Sequence, residues 1–414
     1  MEEKNSEKKE RKMRDSGIPW IGEMPEGWEF SKIKYHCTMK SGDNITALDI
    51  SDNGEYPVYG GNGLRGFYKI YNKNGNHILI GRQGALAGNV HLVNGKFWAT
   101  DHAVIVTLKN DVFINYFFRM LESMNLNQYA FDTAAQPGLS VSRIMNLNIV
   151  LPNLKEQHRI ADFLGSKCSE IDTLIENLRA RMESAKEYKK AVITEAVTKG
   201  LDKDAKMKDS GVEWIGEIPE GWKVVRFKHI ASIKSNLVQP DKYMKYPQIA
   251  PDNIEKDTGR LLSHQTVEES GVISGNHLFY RGQILYSKIR PNLNKLTVAP
   301  FDGLCSADMY PIESKLPTLF MVYSMLSTYF VSQVSLIIQD RVKMPKINQE
   351  ELGEIKVAVP SQQEMLTIAD YLDSKCSEID ALLQNYEYQI ATLEEYKKSL
   401  IYEYVTGKKE VPEA

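Results

Sequence analysis

Four short loops hold the side chains of this 414-residue chain best suited to chemistry. In the first half, Gly81-Arg82-Gln83-Gly84-Ala85-Leu86-Ala87-Gly88-Asn89 places Arg82 and Gln83, which can pair with guanine and adenine edges, among glycines that let backbone approach phosphate. Ala135-Gln136-Pro137-Gly138-Leu139-Ser140-Val141-Ser142-Arg143 adds Ser140 and Arg143. In the second half, residues 287–295 carry Lys288, Arg290, Asn292, Asn294 and Lys295, and residues 340–346 carry Arg341, Lys343 and Lys346. Amides and cations that recur this way fit base-edge contact and phosphate positioning. Solvated surface turns are the plain alternative.

Catalytic constellations do not stand out. Gly61-x-Gly63-x-x-Gly66 has the spacing of a dinucleotide fingerprint, yet it lies between Tyr56-Pro57-Val58-Tyr59 and Phe67-Tyr68-Lys69-Ile70-Tyr71. Both flanks read as strands, so no helix N-terminus would hold a pyrophosphate. The segment reads instead as a glycine-rich hairpin exposing Asn62 and Arg65. There is no Asn-Pro-Pro-aromatic run and no glycine loop suited to S-adenosylmethionine; Pro251-Asp252 with Glu255-Lys256 lacks a common nuclease spacing. The eight histidines are scattered and the four cysteines show no CxxC, so no metal site is expected and reduced thiols are. These absences point to binding without catalysis; an enzyme with unrecognised motifs, a methyltransferase or nuclease, is the alternative.

The segments that must position these loops are written twice. KMRDSGIPWIGEMPEGWEF at 12–30 returns as KMKDSGVEWIGEIPEGWKV at 206–224, and EQHRIADFLGSKCSEIDTLI from Glu156 returns as EMLTIADYLDSKCSEIDALL from Glu364. Between the copies, residues 31–150 and 225–358 share almost no sequence. From Ala161 to Ala196 the steps alternate between three and four, through Leu164, Ile171, Ile175 and Leu178. The second copy repeats them through Leu372, Ile379, Leu383, Ile390 and Leu393, with a lysine, Lys189 or Lys397, at the same place in each. Such a seam predicts coiled-coil helices roughly 54 Å long. Pro152-Asn153-x-x-Glu156 and Pro360-Ser361-x-x-Glu364 announce their starts, and Gly200 and Gly407 their ends.

The unlike regions read as sheet-rich. Apolar runs at 77–81, 89–93 and 103–106 surround an Asn94-Gly95 pair that signals a hairpin, and runs at 283–287 and 295–299 occupy comparable places. One helix follows in each, near 113–128 and 317–338. Leu319 to Ile338 is long and uncharged enough for a membrane span, but Ser324, Ser327, Thr328, Ser332 and Ser335 form a polar stripe that predicts an amphipathic core helix. The net charge of −3 hides an uneven distribution. Residues 31–150 carry eleven Lys/Arg against eight Asp/Glu, and 223–357 seventeen against thirteen, while 361–406 carry three against nine. Local potential, not the total, meets a phosphate backbone.

With these residues in view, the chain resembles the specificity subunit of type I restriction–modification systems. Carrying the resemblance are Trp20-Ile21-Gly22…Pro25-x-Gly27-Trp28, its repeat from Trp214 to Trp222, Pro152…Glu156-Gln157…Ile160-Ala161, and Pro360…Glu364…Ile368-Ala369. Residues 56–63 and 287–292 are also similar to stretches of that family. The resemblance implies an α+β fold: two pseudo-equivalent sheet-rich target-recognition domains separated by two long antiparallel coiled-coil helices, with circular pseudo-twofold symmetry. The expected division is a charged tail 1–11, target-recognition domain 1 at 12–152, spacer helix 1 at 153–200, target-recognition domain 2 at 201–359, spacer helix 2 at 360–407 and a tail 408–414. It further implies a non-catalytic, cytoplasmic reader of a bipartite, asymmetric double-stranded DNA site, docked to two methylation subunits and joined by restriction subunits. S-adenosylmethionine would lie on the methylation subunits, ATP and Mg on the restriction subunits, and no cofactor on this chain. Met365-Leu366-Thr367 departs from Gln157-His158-Arg159, which raises the expectation of two docking faces of unequal strength.

Overall fold

The computed structural model describes residues 11–84, 87–109, 111–129, 138–341 and 343–412. Residues 1–10 of the charged tail, Ala85 and Leu86, Ala135 to Pro137, Val342 and the last two residues of the chain thus lie outside the described part. The chain forms two compact units, Met1–Leu178 with Tyr388–Ala414, and Arg179–Glu387. Each unit contains one variable region and part of each long helix, Leu154–Lys199 and Gln362–Val405.

In unit 1 an antiparallel sheet has the order Cys37–Ser41, Ala103–Leu108, His77–Gly81, Val90–Val93. Its two central strands bury both faces. Ile78, Ile80, Val104 and Val106 join a core with the helices, while Leu79 and Ile105, one residue out of phase, meet a core with the second sheet. That second sheet has the order Gly63–Tyr68, Tyr56–Gly60, Lys96–Ala99, Lys73–Asn74, its middle pair parallel.

Unit 2 repeats this plan with other residues. Its antiparallel sheet has the order Ala231–Ile233, Met309–Ser314, Ile284–Ser287, Leu296–Val298. Ile284 and Tyr286 face one core and Leu285 the other. The second sheet again contains a parallel pair, Pro247–Ile249 with Gly303–Cys305. Two unlike sequences thus build one core topology, to which unit 2 adds a fifth strand, Leu237–Val238, in its second sheet. In each unit the last strand of the variable region pairs with the strand that follows the Trp motif: Asn148–Leu151 with Glu29–Lys32, and Lys356–Val359 with Lys223–Arg226.

Two expectations are corrected. Asn94-Gly95 does not close a hairpin: Val90–Val93 pairs with His77–Gly81, whereas Lys96–Ala99 lies in the other sheet beside Tyr56–Gly60. The turn carries the chain between sheets, and Gly95 and Gly75 exchange both backbone hydrogen bonds at 3.1 Å. The helix expected over 317–338 is two helices, Thr318–Leu326 and Thr328–Ile338, bent by 58°. Ser324 and Ser327 are buried at the break, where Ser327 Oγ donates to the Ser324 carbonyl at 2.6 Å, and Thr194 Oγ1 accepts the Thr328 amide at 2.9 Å. The serines turn the chain here; they do not face water. Among the described residues no single helix is long and apolar enough to cross a membrane.

In unit 1 the helical segments run antiparallel, Phe163 against Tyr404 and Asp172 against Lys397. Leu164, Ile171, Ile175 and Leu178 are buried, as are Leu372 and Ile379 in unit 2. Leu383, Ile390 and Leu393 are half-buried.

Candidate nucleic-acid interface

The glycine-rich turn at 60–63 is a hairpin, with Gly60 opposite Gly63 and Gly63 at φ +88°. A Cβ on Gly61 would stand 3.2 Å from the His102 carbonyl and 3.5 Å from that of Gln83, so the hairpin lies directly on loop 81–89. Asn62 Oδ1 accepts from Asn89 Nδ2 at 3.3 Å, and Arg82 Nη1 donates to Ser41 Oγ at 3.2 Å. The second loop arrives at the same place: Gln83 and Gly138 form a β-bridge, and the Leu139 amide donates to the Arg82 carbonyl at 2.9 Å. Arg143 is exposed and its guanidinium lies 5.6 Å from the Tyr129 ring. Ser140 Oγ is 2.9 Å from Ser142 Oγ. Asn62, Arg65, Arg82 and Gln83 are exposed.

Unit 2 joins its loops by the same device. Ile289 bridges Lys346, the Arg290 amide donates to the Pro345 carbonyl at 2.7 Å, and the Ile347 amide donates to the Lys288 carbonyl at 3.0 Å. In both units the first loop follows the same strand of the antiparallel sheet, His77–Gly81 or Ile284–Ser287. Four loops chosen by residue type therefore become two composite surfaces.

Individual side chains of unit 2 divide sharply. Arg290, Asn292 and Lys343 are exposed, and Lys288 Nζ sits 5.4 Å from the Tyr310 ring. Asn294 is a correction: it is 1 % exposed and its Nδ2 donates to the Met325 carbonyl at 3.2 Å, so it locks the loop from inside. Lys295 Nζ donates to the Pro251 carbonyl at 2.9 Å. Arg341 forks onto Glu351 and the Lys346 carbonyl, and Lys346 Nζ pairs with Asp308 at 3.0 Å. The Arg341 hydrogen bonds hold the Glu351 carboxyl below its ordinary range. These cations brace loop 340–346 as well as charging it.

Sequence reading missed Ser41, His102 and His277, because strand pairing far along the chain brings them to the loops. His277 is buried, burial and Lys288 push its pKa down, and its Nδ1 has no partner. Backbone at Arg290 and Asn294 (both φ 43°) and Met344 (φ 48°) is left-handed. Each such residue stores about 1 kcal/mol that a right-handed loop would avoid. No cluster of metal-binding side chains occurs among the described residues.

The duplicated motifs meet one another within each unit. Trp28 Nε1 donates to Glu156 at 3.2 Å, and Trp222 Nε1 to Glu364 at 3.2 Å. A Cβ on Gly407 would stand 3.0 Å from the Trp28 ring, and one on Gly200 3.2 Å from that of Trp222. Arg11 bridges Glu156 and Glu410, so in unit 1 the two ends of the described chain close the arrangement that unit 2 makes with continuous chain. The mismatch between Gln157 and Met365 is internal. Gln157 is buried and accepts the Phe113 amide at 2.8 Å, while Met365 is buried in apolar core.

Residues 25–184 match the sequence model of the type I restriction modification DNA specificity domain. The chain is similar in sequence to type I specificity subunits. It is 34 % identical over 267 residues to the type I restriction enzyme EcoDI specificity subunit of Escherichia coli, a match covering 60 % of each chain. It is 27 % identical over 423 residues, 93 % of each chain, to the type I restriction enzyme MjaVIII specificity subunit of Methanocaldococcus jannaschii. A solved structure from work on complex assembly and conformational transition of the type I restriction–modification system shares the fold. Its TM-score is 0.65 at 15 % identity, covering 93 % of this chain and 99 % of that one.

Proposed function

We propose that this chain is the DNA sequence-specificity subunit of a type I restriction–modification complex. The observation that carries the proposal is the pairing of loops: 81–89 with 138–143 in one unit, 287–295 with 341–346 in the other, on equivalent strand ends of one topology. Each pair combines side chains able to read base edges with cations able to hold phosphate, and the residues differ completely between units. Two heads of one fold and unlike chemistry suit a bipartite, asymmetric site. The helices set the spacing between them.

The chain supplies recognition, and its partners supply catalysis: two methylation subunits with S-adenosylmethionine, and restriction subunits with ATP and Mg. The helices offer matching surfaces for the methylation subunits. Leu174, Tyr396 and Lys167 in unit 1 have as counterparts Leu382, Tyr188 and Lys375 in unit 2, and the leucines and tyrosines are exposed away from the seam. Exposed apolar residues at equivalent places mark an interface better than scattered ones do.

Exchange of residues 31–150 for those of another specificity subunit, with adenine methylation mapped genome-wide beside the methylation subunit, tests the reading. One half of the methylated motif should change and the other persist. A change in both halves, or methylation and cutting by the purified chain alone, would overturn it.

A further inference from the structure

Loop 341–346 contains a contradiction in its chemistry. Met344 holds φ +48°, a conformation that glycine adopts freely and a long side chain does not. Lys343 and Lys346, the latter paired with Asp308, flank it as exposed cations, and Met344 itself is 53 % exposed. The strain thus presents an apolar group to solvent between two positive charges. The next residue fixes where: the Pro345 carbonyl accepts the Arg290 amide at 2.7 Å, which seats Met344 beside the arginine loop.

From this placement we infer that Met344 reads a thymine methyl group in the half-site met by unit 2, an inference that rests on the proposed DNA-reading role of these loops. The cations bind phosphate and the exposed Arg290 can reach a base edge. Within a groove, the apolar feature such a surface can meet is the C5-methyl of thymine, which separates thymine from every other base by shape. An unbranched thioether packs well on a methyl group whose position shifts with DNA geometry.

The test uses the full chain with its methylation subunit and duplexes carrying the mapped motif, in which each thymine is replaced in turn by uracil. The wild-type complex should bind about fourfold more weakly at one uracil of the unit 2 half-site, the factor expected for one buried methyl. Met344→Gly and Met344→Asn, both compatible with left-handed backbone, should keep the thermal midpoint and lose that sensitivity. The inference fails if no uracil position distinguishes wild type from the two variants. It also fails if uracil is neutral while 2-aminopurine fluorescence reports an unstacked base step that the variants no longer produce, because Met344 would then be a wedge. A wild-type complex with no motif at all would instead overturn the DNA-reading role, and this inference with it.

Discussion

Lys189 Nζ lies 2.7 Å from both carboxylate oxygens of Asp380, across the helix pair of unit 2. Lys397 and Asp172 make the same pair in unit 1, each 208 residues from its counterpart. Lysine at a seam position is costly unless a carboxylate meets it, and the two helices exchange that service. Lys189 retains 11 % of its side-chain exposure, Asp380 49 %.

Truncating the acid should therefore cost more than replacing the base. Asp380→Ala leaves a nearly buried ammonium unpaired and should lower stability by about 2 kcal/mol, while Lys189→Met fills the seam with apolar atoms and should cost under about 1 kcal/mol. Urea midpoints of the two variants decide this, and a larger loss for Lys189→Met would contradict the account.

Trp28 and Trp222 fix the start of each long helix to the chain before its variable region. Both are nearly fully buried, so Trp28→Ala or Trp222→Ala should cost about 3–5 kcal/mol by cavity formation. Phenylalanine keeps one aromatic ring but loses the rest of the buried indole together with its donor to Glu156 or Glu364, so each Phe variant should fall in between, at about 2 kcal/mol. Calorimetric melting of the four variants checks the ranking.

Much of this arrangement is legible in the order of residues alone. A seam through Leu164, Ile171 and Leu372 depends on spacing, and spacing is local. The hairpin at 60–63 follows from glycines between two apolar runs. What escapes a local pattern is set by distant pairing. Asn94-Gly95 has ideal hairpin chemistry, but Lys96–Ala99 gains a buried place beside Tyr56–Gly60, and turn propensity yields to that packing. Asn294 has the same residue type as its exposed neighbour Asn292, and only Met325, on another element, claims its amide and sets the two apart. The convergence of loops 81–89 and 138–143 rests on one bridge between residues 55 positions apart, which no local pattern encodes.

Gly88 should be the most sensitive glycine of the first reading surface. It holds φ +99°, its amide donates to the Gly81 carbonyl at 2.8 Å, and a Cβ there would stand 2.5 Å from the Asn127 backbone nitrogen. Gly88→Ala must move backbone on one side or the other, at a cost of about 2 kcal/mol. Methylation mapping should then show the half of the motif read by unit 1 degraded and the other half kept. Equal loss in both halves would mean general unfolding instead of a displaced loop.

Acid should loosen the second reading surface through Glu351. Its carboxyl is held below the ordinary range by Arg341, and its side chain also caps the helix Gln349–Glu354 from the Asn348 amide at 3.0 Å. A depressed folded pKa contributes stability that is complete above the unfolded carboxylate value and lost as pH falls through the folded one. Proteolysis within 341–346 should therefore accelerate only as pH drops beneath the ordinary carboxylate range. Glu351→Gln, which cannot titrate, should show the faster cleavage at neutral pH and no further acid dependence from this site. A wild-type loop whose cleavage rate stays flat as pH falls below that range, with an acid-stable protease, would show that the Arg341–Glu351 fork does not anchor it.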